Sequence, residues 1–172
     1  LLARETGEVQ FTEYGLSGIC IMQLSGLLAP GRGPKRPVVA LDLFPALSET
    51  ELAALFAQRV GLLGSEAAEF WLGLLPAKLG RALWADAGLP ENARALPAPA
   101  RSAAAKCWRF EGLTPCGWKQ AQTTGGGLLL DEVEDDFQFK GCPGLYFVGE
   151  TLDCAGSCGG YNLHWAFGSG II

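Results

Sequence analysis

The sequence predicts an α+β fold in which strand patterns lie on both sides of a helical region. Three observations carry this prediction. Runs typical of strands occur before residue 45 and return after residue 106. Helical periods with start and stop signals occupy residues 46–105 between them. A short apolar run near the C-terminus is followed by a glycine-bearing loop and a sequence that can start a helix.

The first 45 residues contain two strand patterns and a short helical one. Residues 8–12 alternate between apolar and polar side chains, as a half-buried strand does. Ser17 can cap a helix that covers residues 19–23. After a loop rich in glycine and proline at 26–37, the apolar run 38–44 predicts the next strand.

Three helices are predicted in the middle of the chain. Ser48 and Glu51 have the spacing of a capping box, and Gly61 is expected to end the first helix. Ser65 can start the second helix, and the third covers residues 76–88 with proline in its first turn. Apolar side chains recur at helical spacing at Leu52, Leu55, Phe56, Val60, Ala68, Phe70, Trp71, Leu74, Leu79, Leu83 and Trp84. We expect the leucines and tryptophans among them to form a core.

The last part of the chain returns to strand patterns. The predicted elements are a linker with a short helix near its end at 89–105, a strand at 107–113, a helical turn at 117–122, a strand pair at 128–133, a polar turn at 135–140 and a buried strand at 145–148. The simplest assembly is a β-barrel-like or sandwich domain from residues 1–45 and 106–134, with residues 46–105 as a helical insert. Residues 135–172 form a separate C-terminal segment.

Composition excludes several classes of partner. The net charge of −5 argues against nucleic acid, because phosphate binding needs clustered lysine and arginine. The basic cluster at 32–36 is interrupted by glycine and proline and is typical of a solvated turn. No apolar run approaches the ~20 residues of a membrane span. Composition therefore indicates neither a nucleic-acid nor a membrane partner, and the cysteine usage fits a reducing cytoplasm. A small-molecule substrate is implied only by the family resemblance described below.

The six cysteines are expected to be free thiols. The chain is neither short nor cysteine-dense, so a disulfide framework is not indicated. Cys154 and Cys158 lack the partner pair and the histidines of a zinc site, so no metal is expected. A redox-active pair is the alternative to two free thiols in a tight loop.

Three blocks of sequence, in order, resemble one protein family. They are Gly-Glu-Val-Gln-Phe-Thr-Glu-Tyr-Gly-Leu-Ser-Gly at 7–18, Ala-Gln-Thr-Thr-Gly-Gly-Gly at 121–127 with Glu-Val at 132–133, and the run from Gly144 to Ala166. The last contains Gly-Leu-Tyr-Phe-Val-Gly-Glu-Thr-Leu-Asp and, after a loop, Gly-Gly-Tyr-Asn-Leu-His-Trp-Ala. The blocks resemble the BaiN/RdsA-like (aminoacetone-oxidase-like) family of bacterial FAD-dependent oxidoreductases. The resemblance implies a barrel with a helical insert between two halves of an FAD-binding domain, with residues 135–172 as its closing strand, loop and helix.

One motif of such flavoproteins does not occur in this sequence. The Gly-x-Gly-x-x-Gly turn that holds the FAD pyrophosphate is absent, and Pro34 makes Gly31-Arg32-Gly33 a poor imitation of it. We therefore expect an internal piece of a longer, NAD(P)H-linked flavoprotein that does not by itself hold FAD. The alternative is a non-catalytic binding or scaffold module that kept the architecture without the cofactor.

The resemblance gives the C-terminal residues their candidate roles. Gly149 lets the backbone approach the cofactor closely, and Glu150 can accept a hydrogen bond from a ribityl hydroxyl. The alternative for Glu150 is an exposed carboxylate at a strand end. Asp153 is a second candidate that can equally cap the following loop. For Gly126 and Gly127, close approach to the flavin and a simple turn are both open.

Residues Gly159, Gly160, Tyr161 and Asn162 are expected to place backbone N–H groups at a helix start. Aimed at the N1–C2=O edge of the flavin, that end would favour hydride acceptance. The alternative is a glycine turn with Asn162 as an ordinary N-cap. His164, in place of the family's glutamine, is a minor candidate for a proton donor.

By family analogy, Thr12, Glu13 and Tyr14 face a substrate pocket. A last strand without neighbours also predicts self-association through the C-terminal segment.

Overall fold

The computed structural model describes residues 1–28, 36–63, 67–90 and 98–171. The chain forms two compact units, which we call the terminal unit (Leu1–Pro37 with Thr114–Ile172) and the helical unit (Val38–Leu113). The sequence analysis placed the division differently, at residues 45 and 106. In the structure, strands on either side of the helices pair with each other and belong to the helical unit.

In its described residues, the helical unit consists of a two-stranded sheet and four helices. Strand β3 (Val38–Leu41) runs antiparallel to β4 (Trp108–Glu111), with Val38 opposite Glu111 and Leu41 opposite Trp108. The helices are α2 (Glu49–Leu63), α3 (Ala67–Phe70), α4 (Ala77–Asp86) and α5 (Ala98–Lys106). The terminal unit contains β1 (Gln10–Thr12), β2 (Gly15–Ser17), α1 (Ile19–Ser25) and α6 (Tyr161–Ser169).

The predicted capping box at the start of α2 is confirmed. The Ser48 N–H donates to Glu51 Oε2 at 2.8 Å, and the Glu51 N–H donates to Ser48 Oγ at 3.2 Å. The Ser48 hydroxyl also donates to Glu51 Oε2, at 2.7 Å. This bond first, and that of the Ser48 N–H second, hold the pKa of Glu51 below its ordinary value. The helix runs two residues beyond Gly61, because one glycine costs a helix only about 1 kcal/mol. The predicted helix start at Ser65 lies outside the described residues.

An aromatic core holds the helical unit together. Its largest fully buried side chains are Leu52, Phe56, Phe70, Trp71, Leu83 and Trp84. The two leucines and two tryptophans were predicted as core residues, whereas Phe56 and Phe70 were predicted only as apolar residues at helical spacing. The Trp71 ring centroid lies 5.0 Å from that of Phe70 and 5.3 Å from that of Trp84. The buried Arg101 guanidinium covers the Phe70 ring at 5.3 Å.

Lys106, the last residue of α5, binds the loop before α2 through an ion pair and two hydrogen bonds. Its Nζ lies 2.6 Å from Asp42 Oδ2 and donates to the carbonyl oxygens of Phe44 at 3.1 Å and Leu47 at 2.7 Å.

Lys106→Met keeps the aliphatic stem and removes all three contacts. We expect it to lower the free energy of unfolding by about 1–2 kcal/mol. Urea unfolding measures this, with exposed Lys78→Met as the control; equal losses in both variants would contradict the assignment.

The N-terminal part of the terminal unit is a hairpin followed by a helix. Strands β1 (Gln10–Thr12) and β2 (Gly15–Ser17) pair antiparallel, and α1 covers Ile19–Ser25. The predicted cap by Ser17 is wrong, because Ser17 pairs with Gln10 in the hairpin and Gly18 precedes the helix. Gly18 has φ 104°, and a Cβ there would lie 2.3 Å from the Glu8 carbonyl oxygen.

The C-terminal part of the terminal unit contains three short 3-10 helices and one α-helix. The 3-10 helices are Trp118–Gln120, Leu130–Glu132 and Gly149–Thr151, and α6 covers Tyr161–Ser169. The strand pair predicted at 128–133 is reduced to bridges, Leu128 with Leu152 and Val133 with Phe139.

The predicted buried strand at 145–148 is also wrong for the described structure. Its only bridge joins Tyr146 to Gln138, and the side chains of Leu145, Tyr146 and Val148 are 43%, 52% and 38% exposed. No described strand lies beside this run to form a ladder. Nor do the described strands, arranged as two separate pairs, close into a barrel.

In the part of the chain that the structure describes, no helix is both long and apolar enough to cross a lipid bilayer.

Candidate functional site

Gly149 lies against the second half of α6. Its N–H donates to Ser169 Oγ at 2.9 Å, and its carbonyl accepts from Trp165 Nε1 at 3.1 Å. The residue has φ 63°, and a Cβ there would contact Ala166 at 3.5 Å. The positive φ favours glycine at this position, whereas a Cβ would make only an ordinary van der Waals contact with the helix. A cofactor contact at Gly149 remains a prediction.

Glu150 follows this anchored glycine and is exposed. Its carboxylate accepts no hydrogen bond from any described residue. The backbone before it is fixed by α6, so the carboxylate projects from a defined position. The side chain is thus free to accept a hydroxyl donor from a ligand.

Three predicted site residues meet beside the 3-10 helix Gly149–Thr151. Asp153 Oδ1 accepts from the Gly126 N–H at 3.0 Å, and the Asp153 N–H donates to the Leu128 carbonyl at 2.7 Å. Gly127 has φ 132°, and a Cβ there would lie 2.5 Å from the Thr151 carbonyl oxygen. Asp153 and the glycines thus hold two segments of backbone close together.

The start of α6 has no side-chain cap. Gly160 precedes the helix in a left-handed conformation with φ 94°, so the expectation that Asn162 is the N-cap is wrong. Asn162 reaches back instead: its Oδ1 accepts from the Gly156 N–H at 2.7 Å, and its Nδ2 donates to the Gly156 carbonyl at 3.0 Å. This reciprocal pair closes the loop that leads into the helix.

An open concavity of about 340 Å³ lies at this helix start, lined by Gly159, Gly160, Tyr161 and the exposed His164. The first N–H groups of a helix have no intrahelical partner and carry roughly half a positive charge. The concavity can therefore hold an electron-rich oxygen. The contacts that Gly149 makes with Trp165 and Ser169 lie about 6 and 12 Å along the helix from Tyr161.

A second concavity of about 330 Å³ lies beside the hairpin. It is lined by Glu8, Gln10, Ser17, Gly18, Ile19, Met22 and Gln122. Thr12, Glu13 and Tyr14 do not line it; the Thr12 hydroxyl donates to the Gly15 carbonyl, and Tyr14 is 70% exposed. The assignment of Thr12, Glu13 and Tyr14 to a substrate pocket therefore stays a prediction.

Sequence reasoning missed three residues that shape the site: Gln23, Trp165 and Ser169. Gln23 Oε1 accepts from the Cys158 N–H at 2.7 Å. A polar residue between Met22 and Leu24 in an otherwise apolar helix was the available signal. Nothing in the sequence pairs Ser169 with Gly149, because that contact depends on how the helix docks.

These features describe a domain of helices and small sheets with an uncapped helix start and an exposed carboxylate near its C-terminus. Residues 13–172 match the model of the HI0933-like protein Rossmann domain. The chain belongs to this family, the BaiN/RdsA-like family of FAD-dependent oxidoreductases.

Curated relatives support the same assignment. The chain is 32% identical over 186 aligned positions to the 3-dehydro-bile acid delta(4,6)-reductase of Clostridium scindens. The alignment covers 100% of this chain and 44% of the relative. It is 28% identical to the ribosomal RNA dihydrouridine synthases of Escherichia coli and Haemophilus influenzae, over 92% and 94% of this chain and 39% and 40% of those proteins. The chain therefore spans less than half the length of these relatives.

Proposed function

We propose that this chain is part of a longer FAD-dependent oxidoreductase that takes its electrons from NAD(P)H. The observation that carries the proposal is the uncapped start of α6, with its concavity, on the same helix that anchors the backbone before the free Glu150 carboxylate. Membership of the family supports FAD as the cofactor. The length of the relatives supports the view that further residues complete the protein, which we call the complete flavoprotein.

The residues present fit one part of such a cofactor. We assign the helix start at Gly159, Gly160, Tyr161 and Asn162 to the electron-rich edge of the flavin ring, and Glu150 to a ribityl hydroxyl. Gly126, Gly127, Gly149 and Asp153 hold the backbone that carries these groups. His164, at the rim of the concavity, is the candidate proton donor. Bound FAD would supply hydride transfer; the protein supplies orientation and electrostatics.

The proposed architecture extends what the structure shows. In the complete flavoprotein, residues 1–45 and 106–134 contribute to a barrel-like domain, residues 46–105 are its helical insert, and 135–172 close the FAD-binding domain. Exposed apolar side chains at 145–148 support this proposal, because neighbouring strands would cover them.

The proposed substrate is a small molecule, bound in the cytoplasm without nucleic acid or membrane. The net charge of −5 supports this choice over nucleic acid. Two relatives are named as ribosomal RNA dihydrouridine synthases, so RNA is the alternative substrate against which this proposal is tested. A gel-shift measurement at low salt should show no complex with structured RNA.

Anaerobic mixing of the complete flavoprotein with NADH or NADPH tests the proposed reaction. We expect rapid bleaching of the flavin absorbance by at least one of the two. A protein that holds no flavin would instead be the scaffold module of the alternative hypothesis. A bound flavin that neither nucleotide reduces would contradict the NAD(P)H link.

Residues 1–172 expressed alone should purify colourless. The sequence lacks the glycine turn that holds the pyrophosphate, so half of the cofactor would have no site. The exposed apolar run at 145–148 should also cause self-association. Absorbance and light scattering measure both. A yellow monomer with stoichiometric FAD would refute this prediction.

A further inference from the structure

The loop between Asp153 and α6 is held by two side-chain amides from different parts of the chain. Asn162, in the first turn of α6, binds both backbone polar groups of Gly156 at 2.7 and 3.0 Å. Gln23 comes from α1, 135 residues earlier, and its Oε1 accepts from the Cys158 N–H at 2.7 Å. The bond from Gln23 therefore ties the N-terminal block of sequence to the loop that precedes the helix start.

These two amides divide the backbone N–H groups of the loop into two sets. Those of Gly156 and Cys158 are occupied by side-chain oxygens. From Gly159 onward the chain enters α6, which has no side-chain cap. The concavity is lined by Gly159, Gly160, Tyr161 and His164, so an oxygen-rich ligand there meets the helix-start groups.

We propose that Gln23 is a positioning residue for the cofactor. Through the Cys158 N–H it sets where Gly159 and Gly160 lie, and so where the positive end of α6 meets the flavin. This inference rests on the proposed function, and it assigns a role within the flavin site to the N-terminal helix α1. Gln23 does not touch the reacting atoms.

Replacing Gln23 with leucine or with glutamate separates the effect of the hydrogen-bond acceptor from the effect of charge near the flavin. Gln23→Leu removes the acceptor and frees the Cys158 N–H, whereas Gln23→Glu keeps an acceptor and adds a negative charge. Held in the same place, that charge disfavours adding electrons to the flavin. A role limited to stabilising the fold would not produce this difference.

The first measurement needs no cofactor. Per-cysteine alkylation of the 172-residue chain, read by mass spectrometry, reports whether the loop opens. We expect Cys158, which is half-buried, to react about two- to tenfold faster in Gln23→Leu, as the loss of one hydrogen bond implies. Gln23→Glu should react like wild type. Exposed Cys142 is the internal control, and Gln58→Leu on α2 is the matched variant.

The second measurement uses the complete flavoprotein. Gln23→Leu should bind FAD about two- to tenfold more weakly, and Gln23→Glu should make the midpoint potential of the bound flavin more negative. Unchanged alkylation, or faster alkylation with unchanged FAD affinity and potential, would overturn this inference alone. A wild-type protein that binds no FAD would overturn the proposed function and this inference with it, whatever the alkylation rates.

Discussion

Replacing Gly80 with alanine should destabilise the helical unit by about 3 kcal/mol. Glycine inside a helix usually costs 0.5–1 kcal/mol, roughly, relative to alanine, so propensity alone predicts the opposite sign. At Gly80 a Cβ would lie 2.2 Å from Trp71 Cδ1 and 2.3 Å from Cγ and Nε1. Trp71 is fully buried and in ring contact with Phe56, Phe70 and Trp84, so it has no room to retreat.

The chain offers a matched control for this substitution. Gly61 lies in α2, and a Cβ there would meet no atom within 4 Å. Gly61→Ala should therefore stabilise the unit by about 0.5–1 kcal/mol. Urea unfolding followed by tryptophan fluorescence measures both. Stabilisation by alanine at both positions would show that the packing around Trp71 is looser than the structure has it.

Replacing Glu150 with alanine should weaken FAD binding by the complete flavoprotein about ten- to a hundredfold, as a charge-assisted hydrogen bond worth about 1.5–3 kcal/mol implies. The fold should be unaffected, because the Glu150 side chain is exposed and accepts no hydrogen bond from a described residue. Its neighbour Gly149 keeps its contacts with Ser169 and Trp165, which do not involve the carboxylate.

Two further variants make the Glu150 result specific. Glu150→Gln keeps an acceptor without the charge and should lose less affinity than alanine. Glu134→Ala removes another exposed carboxylate of the terminal unit and should leave FAD binding unchanged. Flavin titration by fluorescence quenching measures all three. Equal affinity in Glu150→Ala and wild type would remove Glu150 from the cofactor site.

The local features of the fold were predictable from the sequence. Ser48 and Glu51 form the expected capping box, because that motif depends only on residues three positions apart. Gly88, at φ 66°, ends α4 as expected. The side chains of Leu83 and Trp71 lie in the core as expected, because helical spacing places them on buried faces.

Features that depend on distant partners were not predictable. The run 145–148 has the composition of a buried strand, yet a strand exists only where another pairs with it. The alternative in which Asn162 caps its own helix is wrong, because Gly160 occupies the cap position and the Asn162 amide binds Gly156 instead. The bond between Gln23 and Cys158 joins residues 135 positions apart, and no local pattern reports it.

The flavin content of the complete flavoprotein, purified without added cofactor, tests the central claim most directly. If the start of α6 and Glu150 contribute one part of an FAD site, the protein should be yellow and release stoichiometric FAD on denaturation. Combined replacement of Glu150 by alanine and Gln23 by leucine should deplete that FAD while the thermal unfolding of the helical unit stays unchanged. A wild-type protein that folds and contains no flavin, even after incubation with excess FAD, would contradict the account.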